Sequence, residues 1–243
     1  MDSDPQPVFR RVLLKISGEA LAGSDSSGIN FASIEDICRR ISEVRNLGVQ
    51  IALVMGGGNI FRGLEVSESG FDRATADAMG MLATVINSLA MLETFDRLQV
   101  EARLMSAIRV GSFAEPYSVR RARHHLDRKR LLVLAGGTGN PYFSTDSASA
   151  LRASELKAEV LLKATKVKGV YSEDPMKNSG ARFFEALSYR DVIEKQLGVM
   201  DLTSITMCRE NDIPIVVFEL GKDDNLRQII LGNRVGTIIS KNK

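Results

Sequence analysis

Val12-Leu13-Leu14-Lys15-Ile16 runs straight into Ser17-Gly18-Glu19. The five leading residues read as a buried strand, apolar except for a lysine near its carboxyl end. The glycine behind it lets the backbone turn and come close to a ligand. The arrangement recurs: residues 49–55 lead into Gly56-Gly57-Gly58-Asn59, and residues 131–134 into Gly136-Gly137-Thr138-Gly139-Asn140-Pro141. Further apolar runs at 160–162, 213–218 and 237–239 also read as strands.

Helical patterns separate the strands. Ser33 and Asp36 stand at capping-box spacing, with Asp in place of Glu or Gln. Ile34, Ile37, Ile41, Val44 and Leu47 follow three or four residues apart, up to Gly48. Ser188 and Asp191 repeat that opening before Val192, Ile193 and Leu197. Residues 73–98 read as one long helix rich in Ala, Met and Leu, and the polar stretch 64–71 as a loop or short turn. Strands alternating with helices predict an α/β fold, a three-layer αβα sandwich around a mostly parallel central sheet. No linker divides the 243 residues, so a single domain over 1–243 is expected.

Apolar residues make up 44% and charged residues 26%, globular values that argue against disorder. A formal net charge of +2 sets no bulk demand for nucleic acid or an anionic membrane. Cys38 and Cys208 have no metal-site spacing and form no disulfide framework, which fits a reduced cytoplasm. No apolar run nears 18 residues, and residues 1–7 are polar and acidic rather than signal-like. Neither a membrane span nor secretion is expected. The basic stretch 120–130 reads as a solvated helix end before a buried strand. No aromatic residues interleave it, so a nucleic-acid partner is not expected. His124 and His125 are adjacent rather than at i, i+4, which argues against a metal site.

Open α/β sheets bind ligands beyond the carboxyl ends of their strands. Three glycine clusters in that position point to an anionic or phosphorylated ligand. The chain has no G-x-x-x-x-G-K-[ST] loop, and Phe61 stands where a dinucleotide motif begun by Gly56 and Gly58 needs its third glycine. The cradle must be of another kind. Lys15 and Lys163 each close an apolar run, where an ammonium can reach a phosphate; Arg62 follows the second glycine cluster and Asp146 the third. Phosphoryl transfer is largely positioning and charge stabilisation, so two ammonium groups oriented by one carboxylate suffice for it. Magnesium could be held by phosphate oxygens and water, with no protein ligand set. Asp146 could instead cap a helix, as could Ser144 or Thr145.

Three motifs bring these residues into a known pattern: Leu14-Lys15-Ile16-Ser17-Gly18-Glu19, Gly56-Gly57-Gly58-Asn59-Ile60-Phe61-Arg62-Gly63, and the run from Lys163-Ala164-Thr165-Lys166 through Val170-Tyr171-Ser172-Glu173-Asp174-Pro175. Two more are narrower: Asp77-Ala78-Met79-Gly80-Met81-Leu82-Ala83-Thr84 and the stretch 137–148. Over about residues 8–240 the chain resembles the bacterial UMP kinases of the amino-acid kinase superfamily. The resemblance implies the carbamate kinase-like version of the predicted fold, with a UMP-side lobe over about 8–165 and an ATP-side lobe over about 166–243. It implies ATP-dependent phosphorylation of UMP to UDP with Mg2+ in pyrimidine nucleotide (CTP) synthesis, in a cytoplasmic homohexamer built as a trimer of dimers. GTP would activate it and UTP inhibit it.

The same resemblance assigns roles. Lys15 and Lys163 would stabilise charge on the phosphoryl in flight, with Asp146 orienting them and Arg62 close to the transfer point. Ile16, Ser17, Gly18 and Gly58 would line the ATP phosphates; Thr165, Tyr171 and Asp174 would hold the ATP nucleoside. Gly57 would meet the UMP phosphate and Asp77 the ribose hydroxyls. Thr138, Gly139, Asn140, Pro141, Tyr142, Phe143, Ser144 and Thr145 would wrap the UMP. Tyr171 could equally be a core aromatic, and Asp174-Pro175 reads as an N-cap followed by proline at the first helical position. The loop 22–28 keeps only the flanking glycines of the family's activator loop, which leaves Arg103 and Arg130 as the candidate GTP contacts. Two rivals differ in class: a non-catalytic nucleotide-binding protein on this fold, disfavoured by Lys15, Asp146 and Lys163 together, and a nucleic-acid-binding regulator resting on the basic stretch alone.

Overall fold

The computed structural model describes residues 6–25, 27–61, 70–221 and 224–241. Its centre is β1 (Arg11–Ile16), which pairs in parallel with β2 (Gln50–Met55) on one side and with β6 (Val160–Thr165) on the other. Beyond β2 lie β5 (Leu131–Ala135), β3 (Ala102–Ser106) and the short β4 (Glu115–Pro116). Beyond β6 lie β10 (Ile215–Glu219), β11 (Thr237–Ser240) and β9 (Ala186–Ser188). Pairing is parallel from β4 to β10; β11 runs antiparallel to β10 and parallel to β9. A separate antiparallel pair joins β7 (Val170–Tyr171) to β8 (Phe183–Phe184). The chain leaves β1 toward β2 and later returns to its other side as β6. The strand order therefore reverses between β1 and β6, where an open sheet leaves a crevice at its carboxyl edge.

Helices cover both faces. Leu14, Ile16, Leu53, Val133 and Leu162 point to one face. They pack there with Ile34 and Ile41 of α2 (Phe31–Asn46), Met91 and Phe95 of α3 (Arg73–Arg97), and Leu226 and Ile230 of α8 (Asn225–Ile230). Leu13, Val54, Leu132 and Leu161 point to the other. They meet Leu126 of α4 (Val119–Asp127), Ala150 and Ala153 of α5 (Thr145–Leu156), Val192 of α6 (Tyr189–Glu194) and Cys208 of α7 (Leu202–Glu210). The strand period of two puts Lys15 and Lys163 on this second face, two residues past Leu13 and Leu161. The three-layer αβα sandwich with its mostly parallel sheet is as expected.

Local differences have local causes. The helix expected to open at Ser33 begins at Phe31, because Asn30 caps it by accepting the Ser33 N–H at 3.0 Å; Ser33 sits inside the first turn. The Ser188–Asp191 capping box is present as read. Residues 64–69 of the expected loop 64–71 lie outside the described residues. α3 is long and apolar enough to cross a membrane by length and composition alone, although no unbroken apolar run in the sequence suggested it. It buries Ala76, Ala83, Asn87, Met91 and Phe95 in this protein, so here it serves as a core helix.

Phe95 is fully buried between α3 and the sheet. Phe95→Ala should lower the unfolding free energy by about 3–5 kcal/mol, by lost burial and the cavity left behind. Urea titration of both proteins would measure the difference.

Candidate active site

Lys15 and Lys163 are direct partners in the β1–β6 ladder, so both side chains leave the sheet side by side at its carboxyl edge. Between them stands Asp146. Its carboxylate Oδ1 lies 3.0 Å from Lys15 Nζ, and Oδ2 accepts from Lys163 Nζ at 2.7 Å. Lys163 Nζ also donates to the Val199 carbonyl. Asp146 Oδ1 is buried and, among the described residues, its close contact is the Lys15 ammonium, an ion pair. The N-cap of α5 is Ser144, whose hydroxyl accepts from the N–H groups of Asp146 and Ser147. That leaves the Asp146 side chain in the first helical turn, free of capping and turned to the lysines.

Burial pushes the Asp146 carboxyl up, but the charges of Lys15 and Lys163 and their contacts outweigh it and hold the group below the ordinary range. Burial pushes Lys163 down; the Asp146 carboxylate pulls it back, Lys15 opposes, and the result is below the ordinary lysine value. A cation that is costly to bury beside its twin gains when an anion arrives. The cluster can therefore stabilise a phosphoryl group passing over it.

Two glycine turns close the crevice floor. A Cβ on Gly18 would lie 2.3 Å from Asn59 Oδ1 and 2.8 Å from Gly58 N, and one on Gly56 would lie 2.7 Å from Gly18 N. Only glycine allows that approach. Ile16 is fully buried and its carbonyl accepts from Gly56 N at 2.8 Å. Ser17 opens α1 (Gly18–Ala22) without using its side chain as a cap. Gly57 fits tightly on α3, since a Cβ there would lie 2.9 Å from Ala83 Cβ and from Gly80 O; a Cβ on Gly58 would meet open space. Behind these turns Asn59 and Asn87 are buried and bonded reciprocally, at 3.1 and 2.7 Å. Their remaining amide hydrogens hold Gly28 O and Gly56 O, each at 2.7 Å.

The loop after β5 forms the outer wall. Gly136, Gly137 and Gly139 all adopt positive φ, a conformation glycine tolerates. Thr84 of α3 accepts the Gly136 N–H at 2.8 Å, and the Thr138 hydroxyl accepts from Asn140 N at 3.1 Å. Asp77 receives the Arg73 guanidinium at 2.9 and 3.0 Å and the Tyr142 N–H at 2.7 Å. Tyr142 has φ 70°, rare for a tyrosine, and its ring and that of Phe143 are exposed. Pro141 is half-buried between these anchors, and Thr145 opens α5. Asp77 is thus brought to the loop 138–145.

On the other side Thr165 extends β6 two residues past Lys163; its hydroxyl donates to Val167 O at 2.7 Å. Tyr171 stacks tilted on Phe183 with centroids 5.3 Å apart. Asp174 accepts the Met176 N–H at 2.9 Å and caps a single turn, not a helix as its proline neighbour suggested. Arg103 and Arg130 come together on Glu101, at 3.2 and 2.7 Å. They sit near the amino ends of β3 and β5, away from the crevice. Arg62 lies outside the described residues. Among the described residues no group of three or more His, Cys, Asp or Glu side chains could hold a metal. Asp146 is committed to two lysines. Sequence reading missed Asn87, Thr84, Val199 and Asp201. Asp201 caps α7 and also binds the Ser144 and Ser147 hydroxyls. Thr84 closes a quoted motif but stands in it without a role of its own, and the other three belong to no motif.

The amino acid kinase family model matches residues 10–219. Among solved structures, the UMP kinase from Bacillus anthracis is 38% identical over 97% of each chain, with a TM-score of 0.93. The UMP kinase from Ureaplasma parvum is 35% identical, with 96% of this chain and 99% of that one covered and a TM-score of 0.89. The uridylate kinase from Archaeoglobus fulgidus is 27% identical, with 94% and 99% covered and a TM-score of 0.73.

Because the folded state lowers the Asp146 pKa, its contribution to stability is full above the unfolded value and is lost as pH falls through the folded one. Acid titration of stability should be shallower in Asp146→Asn than in the parent, read as urea midpoints between about pH 2 and 6. An unchanged acid limb would show that the carboxylate does not carry this linkage.

Proposed function

The chain belongs to the amino acid kinase family, and from that premise we propose that it transfers the γ-phosphoryl group of ATP to UMP, giving ADP and UDP. The observation that carries the reading is the Lys15–Asp146–Lys163 cluster, placed in register where the strand order reverses. A UMP phosphate oxygen attacks the γ-phosphorus in line, and the bond to the β–γ bridging oxygen breaks, with no covalent enzyme intermediate. Magnesium, when bound on the ATP phosphates, adds charge neutralisation to that of the lysines.

Ile16, Ser17, Gly18 and Gly58 line the ATP phosphates in this reading, and Thr165, Tyr171 and Asp174 hold the nucleoside. Gly57, Asp77 and residues 138–145 hold UMP, with Arg62 near the transfer point. The acceptor assignment is supported by the link from Asp77 to the Tyr142 N–H and by the likeness to two enzymes solved as UMP kinases. The ATP lobe is residues 166–243 and the UMP lobe residues 8–165 on one continuous sheet. The reading extends to pyrimidine nucleotide synthesis in the cytoplasm, to GTP activation through Arg103 and Arg130, to UTP inhibition and to a homohexamer built as a trimer of dimers. The exposed stripe of Met79, Leu82 and Ile86 on α3 supports an assembly.

ADP release from Mg-ATP should be strong with UMP and weak with CMP, AMP, carbamate, aspartate, acetylglutamate and isopentenyl phosphate; preference for another acceptor would overturn the assignment. Lys15→Ala should lower kcat by about 100-fold or more while moving UMP half-saturation far less. The depressed Lys163 predicts that the basic limb of kcat/KM for ATP lies below the ordinary lysine range. Asp146→Asn removes the carboxylate that raises Lys163, so that limb should shift to still lower pH.

A further inference from the structure

Beneath the loop 136–144 lies a charged group that the proposed reaction does not use. Arg152 of α5 is buried, with its guanidinium 3.9 Å from the centre of the Tyr117 ring. It donates to Glu155 Oε2 at 2.6 Å and to the Gly137 carbonyl at 3.3 Å. Tyr117 donates its hydroxyl to the same Glu155 oxygen at 2.6 Å, and Tyr117 N is fixed to Ser106 O of β3 at 2.9 Å. Burial first, and then the bond to Glu155, raises the Tyr117 phenol above its ordinary range, so it keeps the proton it donates. Glu155 is therefore itself held from outside α5, through Tyr117.

We infer that Arg152 is a positioning residue for the acceptor nucleotide: its bond to Gly137 O sets the orientation of the Gly137–Thr138 peptide. A trans peptide carries its C=O and the following N–H on opposite sides. Drawing the Gly137 carbonyl inward to Arg152 turns the Thr138 N–H away from the core, as a fixed donor toward a nucleoside monophosphate. Gly137, at φ 57°, has no Cβ to hold the following peptide in one orientation. Thr84 fixes the residue before it and Asp77 fixes Tyr142 beyond it, both from α3. Arg152 anchors Gly137 from the opposite helical layer.

The inference rests on the acceptor site proposed above, and its test separates the two. Amide hydrogen exchange without any nucleotide, on the parent, Arg152→Met, Arg152→Lys and Tyr117→Phe, reads the anchor alone. Exchange in peptides covering 136–144 should quicken about tenfold in Arg152→Met and less in Tyr117→Phe, while 147–156 stays protected. Tyr117→Phe keeps the ring under the guanidinium and guards against a variant that fails to fold. In steady state Arg152→Met should raise UMP half-saturation about tenfold, leaving kcat and ATP half-saturation within about twofold, and Arg152→Lys should recover part of the loss. Unchanged exchange at 136–144, or a loss spread over the whole chain with kcat and both half-saturations moving together, would overturn the positioning role. A parent protein inactive on UMP would overturn the proposed reaction, and the exchange result would then judge the anchor by itself.

Discussion

Two lysines on adjacent parallel strands, in register and on the same face, cannot be far apart, because strand spacing fixes them at about 5 Å. Everything near the crevice answers that constraint. Burying two like charges at that spacing is unfavourable unless a counter-charge stands between them. Asp146 supplies it, and it can do so only because Ser144 takes over the capping of α5. Lys163 needs a further acceptor and finds the Val199 carbonyl, which ties the segment before α7 to the site. The cluster sets two positive charges against one negative. That residual positive charge is the property a phosphoryl-transfer site needs before its substrates arrive.

The second constraint is steric. The turn at Gly18 and the turn at Gly56 press backbone against backbone, at distances that leave no room for a Cβ. Such contact exposes peptide groups to a ligand but gives the turns little side-chain packing of their own. The Asn59–Asn87 pair compensates from behind. Its amides form a closed set of four hydrogen bonds that reaches Gly28 and Gly56, so one buried pair fixes the Gly56 turn and the loop beyond α1 against α3. Networks of this kind stabilise only when every member is satisfied.

The strands and long helices were legible because burial on both faces makes continuous apolar runs and one-sided burial makes a helical stripe. β3 was not, since Arg103 interrupts its five residues, and β4, β7 and β8 are two residues long. Lys15, Lys163 and Asp146 could be picked out because charges at strand ends beside glycine stand out against apolar neighbours. Their register, which makes them one site, depends on the β1–β6 pairing between residues nearly 150 positions apart, and no local pattern carries that. Asn30 was missed as a cap because Ser33 offers a similar side chain three residues later. Asn87 and Arg152 were missed for a different reason. Each is a polar residue inside a helix, and only the partner across the fold shows that it is buried and spoken for.

α3 ties these constraints together. Its first turns hold Asp77 against the loop after β5, its middle carries Thr84 and Asn87 to two glycine turns, and its far half packs Met91 and Phe95 into the core. Met79, Leu82 and Ile86 lie on its exposed side between those same contacts. A helix packed this closely responds to a load as a rigid rod more readily than it bends. A partner seated on that stripe would therefore bear on Asp77, Gly57 and Gly136 at once, without touching the crevice. The physical route from that stripe to the proposed acceptor site is thus one helix long, and it requires no movement of the sheet that holds the lysines.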